Sequence, residues 1–212
     1  MRQVDVVTHG CSTPRWIGCY EQELHEAVER AITRRPWVVA NVGCADGYYA
    51  VGLARRLPNA RIHAWDVDPW ARRALRCLTA ANKVGNVTVY RWCGHEQLQR
   101  LCAHGGALVV CDIEGGEYEL LDPARVPALT SADILVELHG TGGLSVEAGE
   151  RTLRSRFGAT HLIETIERQT KSVEECRPIV KERLTDVELA ACIDERRGNA
   201  PKWLAMWSRK RS

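Results

Sequence analysis

The chain has 212 residues, 45% of them hydrophobic, and 29 basic against 27 acidic side chains give a net charge of +2. That length suits one domain with a full core, and near-neutral charge exerts no strong pull toward nucleic acid or a membrane surface. No apolar run approaches the ~20 residues of a bilayer span, and the opening residues Met1–Asp5 lack the apolar stretch of a signal peptide, so the reading is a cytoplasmic protein. Nine cysteines are an odd number with no Cys-x-x-Cys pair. They are expected reduced and mostly buried, Cys44, Cys77, Cys93 and Cys111 inside predicted elements, with Cys11 and Cys19 nearer the ligand side as candidates for reactivity.

Residues 1–18 are broken by Gly10, Pro14 and Gly18. From Glu21 to Arg34, Leu24, Ala27, Val28, Ala31 and Ile32 fall on one helical face, and Pro36 stops the helix. Residues 1–36 therefore read as an N-terminal segment and helix packed on a domain spanning 37–212. Ile17–Glu21 reads equally well as a plain helix start or as a flap over a ligand, with Tyr20 or Glu21 facing it. Val38–Val42 then reads as a strand buried on both faces. It breaks at Gly43, Ala45 and Gly47 and resumes with Tyr49, Leu53 and Leu57 at helical spacing. Strand, small-residue turn and helix make the first unit of a nucleotide-binding α/β fold, in which the backbone approaches the ligand and the helix start offers free N–H groups. Gly43-x-Ala45-x-Gly47 is shorter than the dinucleotide fingerprint, and Asp46 would repel a pyrophosphate. An acidic, tight turn suits a cationic or amino group beside a ribose. The stretch resembles motif I of class I S-adenosylmethionine-dependent methyltransferases, with Ala45 for the middle glycine and Asn41 where an acidic residue is common. The resemblance implies that Gly43, Cys44, Ala45, Asp46, Gly47 and Tyr48 surround that cofactor.

Arg61–Asp66 reads as the second strand, and Asp66, followed by Val67, stands where a carboxylate accepts from both ribose hydroxyls. Asp68 before Pro69 reads as the cap of helix 70–83. Val87–Cys93 is the third predicted strand. Its exit at Cys93 and Gly94 faces the adenine edge in this fold; no aspartate stands there, so His95 or backbone groups would serve. Ala107–Cys111 is a fourth buried strand that delivers Asp112 and Glu114 to the carboxyl edge of the sheet, where open parallel sheets bind ligands. Ile134–Gly140 is a fifth, and alternation puts Glu137 and His139 on one side of it. Glu119 has a simple reading, an acid in the first turn of a helix. Asp112, Glu137 and His139 do not, because charges at the ends of apolar strands need partners or a ligand. A helix at Ser145–Phe157, a strand at Ala159–Ile166, a long polar connection at 167–184, a helix at Thr185–Arg196 and a last strand at Lys202–Ser208 complete the chain. Arg209-Lys210-Arg211 reads as a solvated tail.

Asp112-Ile113-Glu114-Gly115-Gly116-Glu117 followed by Val136-Glu137-Leu138-His139 resembles the FkbM-like methyltransferases. With motif I and Asp66 the resemblance covers about residues 37–140. It implies a Rossmann-like, doubly wound seven-stranded sheet with the last strand antiparallel, and O-methylation of a small-molecule or sugar hydroxyl, of the kind found in natural-product biosynthesis. Methyl transfer from a sulfonium needs the acceptor aligned and its proton removed. His139 is the first candidate base because a histidine ordinarily titrates near neutral pH. Glu137 would orient it or act alone, and Asp112 and Glu114 stand beside it. Asp112, Glu137 and His139 also suit a divalent cation, Mg2+ or Mn2+, better than zinc. Nucleic acid is disfavoured as a substrate: no Asn/Asp-Pro-Pro-aromatic turn follows the fourth strand and no basic-aromatic stripe follows it. A small-molecule acceptor is the expected partner, and a homo-oligomer is left open. N-methylation and a non-catalytic nucleotide-binding domain are the alternatives; a dehydrogenase is weaker, since no Tyr-x-x-x-Lys pair occurs.

Overall fold

The computed structural model describes residues 12–178, 180, 183–195 and 202–210. In chain order they form α1 (Thr13–Ile17), a 3-10 turn (Gln22–Leu24), α2 (His25–Thr33), β1 (Val38–Val42), α3 (Tyr48–Arg56), β2 (Arg61–Trp65), α4 (Pro69–Asn82), β3 (Val87–Tyr90), α5 (His95–Cys102) and β4 (Ala107–Cys111). There follow α6 (Glu117–Leu120), a second 3-10 turn (Pro127–Ser131), β5 (Asp133–Leu138), α7 (Val146–Phe157), β6 (His161–Glu167), α8 (Val173–Cys176), α9 (Asp186–Ile193) and β7 (Lys202–Ser208). No helix among the described residues is long and apolar enough to cross a membrane.

The seven strands form one sheet in the order β3-β2-β1-β4-β5-β7-β6. β1 to β5 run parallel to one another, and β7 lies antiparallel to both β5 and β6, as expected. Strand alternation sorts the apolar residues into two cores. Val39, Ile62, Val110, Leu135 and Trp203 pack under Ala27, Ala31, Val51, Leu75 and Leu78 from α2 to α4. Val38, Ala40, Val109, Ile134 and Met206 pack under Leu98, Tyr118, Leu153 and Phe157 from α5 to α7. A sheet buried on both faces explains why β1, β4 and β5 read as unbroken apolar runs. The chain order reverses between β1 and β4, so the crevice at their carboxyl ends is the natural ligand position.

Several expectations shift. The helix expected from Glu21 begins as a 3-10 turn, because Glu21 itself is left-handed at φ 46°. β3 ends at Tyr90 and not at Cys93: its partner β2 ends at Trp65, which pairs with Tyr90, so nothing remains for Arg91–Cys93 to pair with. α5 was not foreseen. Cys77 is exposed on the outer side of α4, whereas Cys44, Cys93 and Cys111 are buried as expected. Cys19 is also fully buried, and burial, aided by the neighbouring Cys176 thiol, pushes its thiol up to about 12, against the reactivity considered for it. Residues 1–11, Cys11 among them, and Arg196 and Arg211 lie outside the described residues, whereas residues 13–17, expected to be irregular, form α1 with Pro14 accommodated in its first turn.

Gly43 is left-handed at φ +76°, and a Cβ there would sit 1.6 Å from the carbonyl oxygen of Asp112. The turns leaving β1 and β4 therefore touch backbone to backbone. Gly52, inside α3, has open space around it. In urea denaturation Gly43→Ala should lower stability by about 3 kcal/mol or more through that clash, while Gly52→Ala should raise it by about 0.5–1 kcal/mol as an ordinary helix substitution.

Candidate active site

The turn after β4 is drawn into shape by one side chain. Glu117, the first residue of α6, is fully buried and points back toward the strand. Its Oε1 accepts from the Ile113 N–H and its Oε2 from the Gly115 N–H, both at 2.9 Å. The same Oε1 lies 2.9 Å from His139 Nδ1, just past the end of β5. Tyr118 fixes the histidine from the backbone side, its hydroxyl donating to the His139 carbonyl at 2.8 Å. Tyr118 fits because α7 has a glycine opposite: a Cβ on Gly149 would come within 2.1 Å of the ring.

With Nδ1 held, His139 Nε2 faces the other acids. It lies 3.5 Å from Glu114 Oε2, 3.7 Å from Asp112 Oδ1 and 3.9 Å from Glu137 Oε2. Burial disfavours charge on the ring, but the hydrogen bond to Glu117 and the charges of Glu137, Asp112 and Glu117 outweigh it and raise His139 to about 9. Burial likewise pushes Glu117 up, and the hydrogen bonds from His139 and from the Ile113 and Gly115 backbone more than reverse that, leaving it below its ordinary value. The expectation that His139 titrates near neutral pH is therefore corrected: ringed by acids, it is an imidazolium at pH 7.

Asp112, Glu114 and His139 place one donor atom each within 4.8 Å of one another. Of the trio considered from sequence, Asp112 and His139 belong to this group, which includes Glu114, while Glu137 is 3% exposed. Glu114 reaches outward, its side chain 85% exposed, from a left-handed backbone at φ 56° that a non-glycine residue rarely adopts. Two carboxylates and an imidazole braced by a further carboxylate fit Mg2+ or Mn2+ in donor type, and the Glu117 bond is the outer support such histidines use.

Beside this cluster lies a cavity of about 540 Å³. Gly43, Asp66, Val67, Cys93, Gly94 and Asp112 line it, with Trp65, Trp92, Ile113 and Leu120 as apolar walls. Asp66 accepts from the Ala45 N–H at 2.8 Å and the Asp68 N–H at 2.9 Å, so it shapes the motif I turn as well as facing the cavity. Asp68 caps α4 through Trp70 N–H, as expected. His95 reaches the Glu119 carbonyl at 2.9 Å and lines the cavity together with Glu119, which was read from sequence as a helix-dipole residue alone.

The rest of motif I turns inward. Cys44 is in the core under α3, and a Cβ on Gly47 would strike Leu75 of α4 at 2.3 Å, so crowding within the protein, as much as ligand access, demands small residues here. Ala45 stands left-handed at φ 45° where the usual motif has glycine. Asp46 pairs with Arg15 at 2.6 Å, and its Oδ1 is buried with no hydrogen-bond partner. Tyr48 packs edge-on against Tyr20 and Tyr49, with centroids at 5.0 and 5.3 Å. The N-terminal segment thus lies over this turn. Tyr20 is held by Arg15, and buried Glu21 accepts from Tyr49 and, through its N–H, donates to Glu195. Arg15 and Glu195 had no signal in the sequence, because their partners are far along the chain.

No family model matches the chain, and no curated protein matches it. Solved structures do. The chain is similar to precorrin-6y C5,15-methyltransferase from Geobacter metallireducens at 14% identity and a TM-score of 0.55, over 86% of this chain and 88% of that one. It is similar to the O-methyltransferase TomG from Streptomyces achromogenes, solved with S-adenosylmethionine, at 15% identity and a TM-score of 0.58, over 93% and 87%. These likenesses show the Rossmann-like methyltransferase fold.

Glu117→Gln removes the strongest of the interactions raising His139, and an NMR titration should find the imidazole falling from about 9 toward 6.5. Because the folded value lies above the unfolded one, His139 adds stability that is complete below about 6.5 and lost as pH rises through about 9. The variant should therefore lose that part of the pH dependence of its thermal midpoint.

Proposed function

We propose that the chain is an S-adenosylmethionine-dependent methyltransferase of FkbM-like type that methylates a hydroxyl of a small molecule. The observation that carries the reading is the joining of two features at one sheet edge: a cavity with Asp66 on one wall, and the Asp112–Glu114–His139 cluster at its border. The first suits a nucleoside with a free ribose, and the second suits an acceptor that must lose a proton.

When bound, S-adenosylmethionine would supply the methyl group, its S–CH3 bond breaking as the O–CH3 bond forms and the neutral thioether leaving. Asp66 would hold the ribose hydroxyls, Trp65 and Ile113 would wall the base, and the acceptor would enter from the side of Glu114. His139 Nε2 accepts the hydroxyl proton once it has lost its own, with Glu117 keeping the ring aimed. Asp112, Glu114 and His139 are the residues that would hold a divalent cation; His139 Nε2 would then be a ligand and not the base, and the cation would instead lower the pKa of a coordinated hydroxyl and fix its direction. The proton on His139 and such a cation compete for the same ring of acids, so cation binding should release a proton below about pH 9. The domain from residue 37 onward carries these parts, and the N-terminal segment closes over the motif I turn.

Calorimetry tests the cofactor. S-adenosylmethionine should bind in the micromolar range, and Asp66→Asn should weaken it by about tenfold or more through the lost charge-assisted hydrogen bonds; heat-silent mixing for the wild type would refute the reading. With an acceptor in hand, the rate in chelator should climb toward pH 9 as His139 loses its proton, and Mg2+ should move that rise to lower pH. His139→Ala should cost about a hundredfold in turnover with cofactor affinity unchanged.

A further inference from the structure

A second cavity, about 530 Å³, opens on the α5 face of the sheet at its β2–β3 end. Leu98 and Cys102 of α5 pack with β1 and the second 3-10 turn, and Gln99 accepts from the Ala128 N–H at 3.0 Å. Gln97, Arg100 and Leu101 of α5 line one side of the cavity, and the rings of β2 and β3 line the other. His63, Trp65 and Tyr90 stand there in parallel, with centroids 5.3–5.8 Å apart and interplanar angles of 1°, 21° and 23°. Tyr90 is 38% and Trp92 69% exposed, large rings facing water beside a cavity.

The charges around this row have one sign. Arg61, Arg100 and His104 line the cavity with the rings, and no carboxylate does. Arg61 lies over Trp37, 4.9 Å from the ring centroid. Arg100 meets Glu96 at 3.1 Å on the outer surface of α5, a pair more than half exposed and therefore weak enough to exchange. His63 is held below its ordinary value by burial and then by Arg61, so at neutral pH it contributes a neutral ring to the stack.

We propose that this groove is a binding site, separate from the methyl-transfer centre, for a small planar aromatic molecule that carries a phosphate or carboxylate. Rings without cations would suit any apolar surface, and cations without rings any anion; the juxtaposition selects a ligand with both. The volume holds one ring system. A net charge of +2 speaks against a polynucleotide. The site stands independently of the methyltransferase reading, but it shares Trp65 and Trp92 with the cavity beside Asp66, so its occupant would touch the far side of the same two rings.

The probe is 1-naphthyl phosphate, with inorganic phosphate and 1-naphthol as half-ligands, measured by calorimetry on the whole chain. The wild type should bind the probe more tightly than either half. Arg61→Gln and Tyr90→Ala, two exposed positions outside the Asp66 cavity, should each weaken it about tenfold, with both variants still unfolding cooperatively well above the assay temperature. Arg125→Gln, a surface arginine elsewhere, should leave it as it was. Equal binding by both groove variants would overturn the site, as would equal binding of inorganic phosphate. A single-stranded oligonucleotide that binds more tightly than the probe would overturn the small-ligand assignment. So would a dimer that Tyr90→Ala dissociates, which would give the groove to a second copy.

Discussion

The buried carboxylate of Glu117 is the interaction on which the carboxyl edge depends. A charge with no exposure survives only if donors meet it on both oxygens, and here two backbone N–H groups and an imidazole do so. In return the Asp112–Gly116 turn acquires a fixed shape, and that shape permits the left-handed backbone of Glu114. The turn in turn presses its Asp112 carbonyl against Gly43. The cluster next to β5, the motif I turn after β1 and the start of α6 are therefore one mechanical unit, assembled from three strand ends.

Much of this was legible in the sequence. The apolar runs of β1, β4 and β5, the helix-spaced residues of α4 and α7 and the Asp68-Pro69 cap lie in local patterns, and the structure reproduces them. The acids at the strand ends were conspicuous because apolar strands do not carry unpaired charge to their tips. What was missed depends on partners distant in sequence. The short reach of β3 follows from where β2 ends. Glu117 stood out only as the last residue of the Asp112–Glu117 pattern, and the return of His139 from 22 residues away is what gives it its purpose. The membership of the donor cluster turned on depth: Glu137 and His139 share a side of β5, but Glu137 is a strand step below the edge.

The titration of His139 shows how geometry overrides residue type. An isolated imidazole would be a neutral base at physiological pH, and the type alone suggested that role. Packed among Glu117, Glu137, Asp112 and Glu114, the ring holds its proton to about 9. The arrangement prefers a positive charge at its centre, whether that charge is carried by a proton or by something larger.

The N-terminal segment and the stretch after β6 meet in a third, small core of Cys19, Cys176, Val180, Leu189 and Ile193, outside both faces of the sheet. Lys171 and Glu195, a nearly buried pair, join the same region to Glu21. A core of five side chains contributes far less than the sheet's two, so this cap forms a separate cooperative unit with a lower opening free energy. Its amides would exchange with solvent together, and earlier than those of β1 and β4.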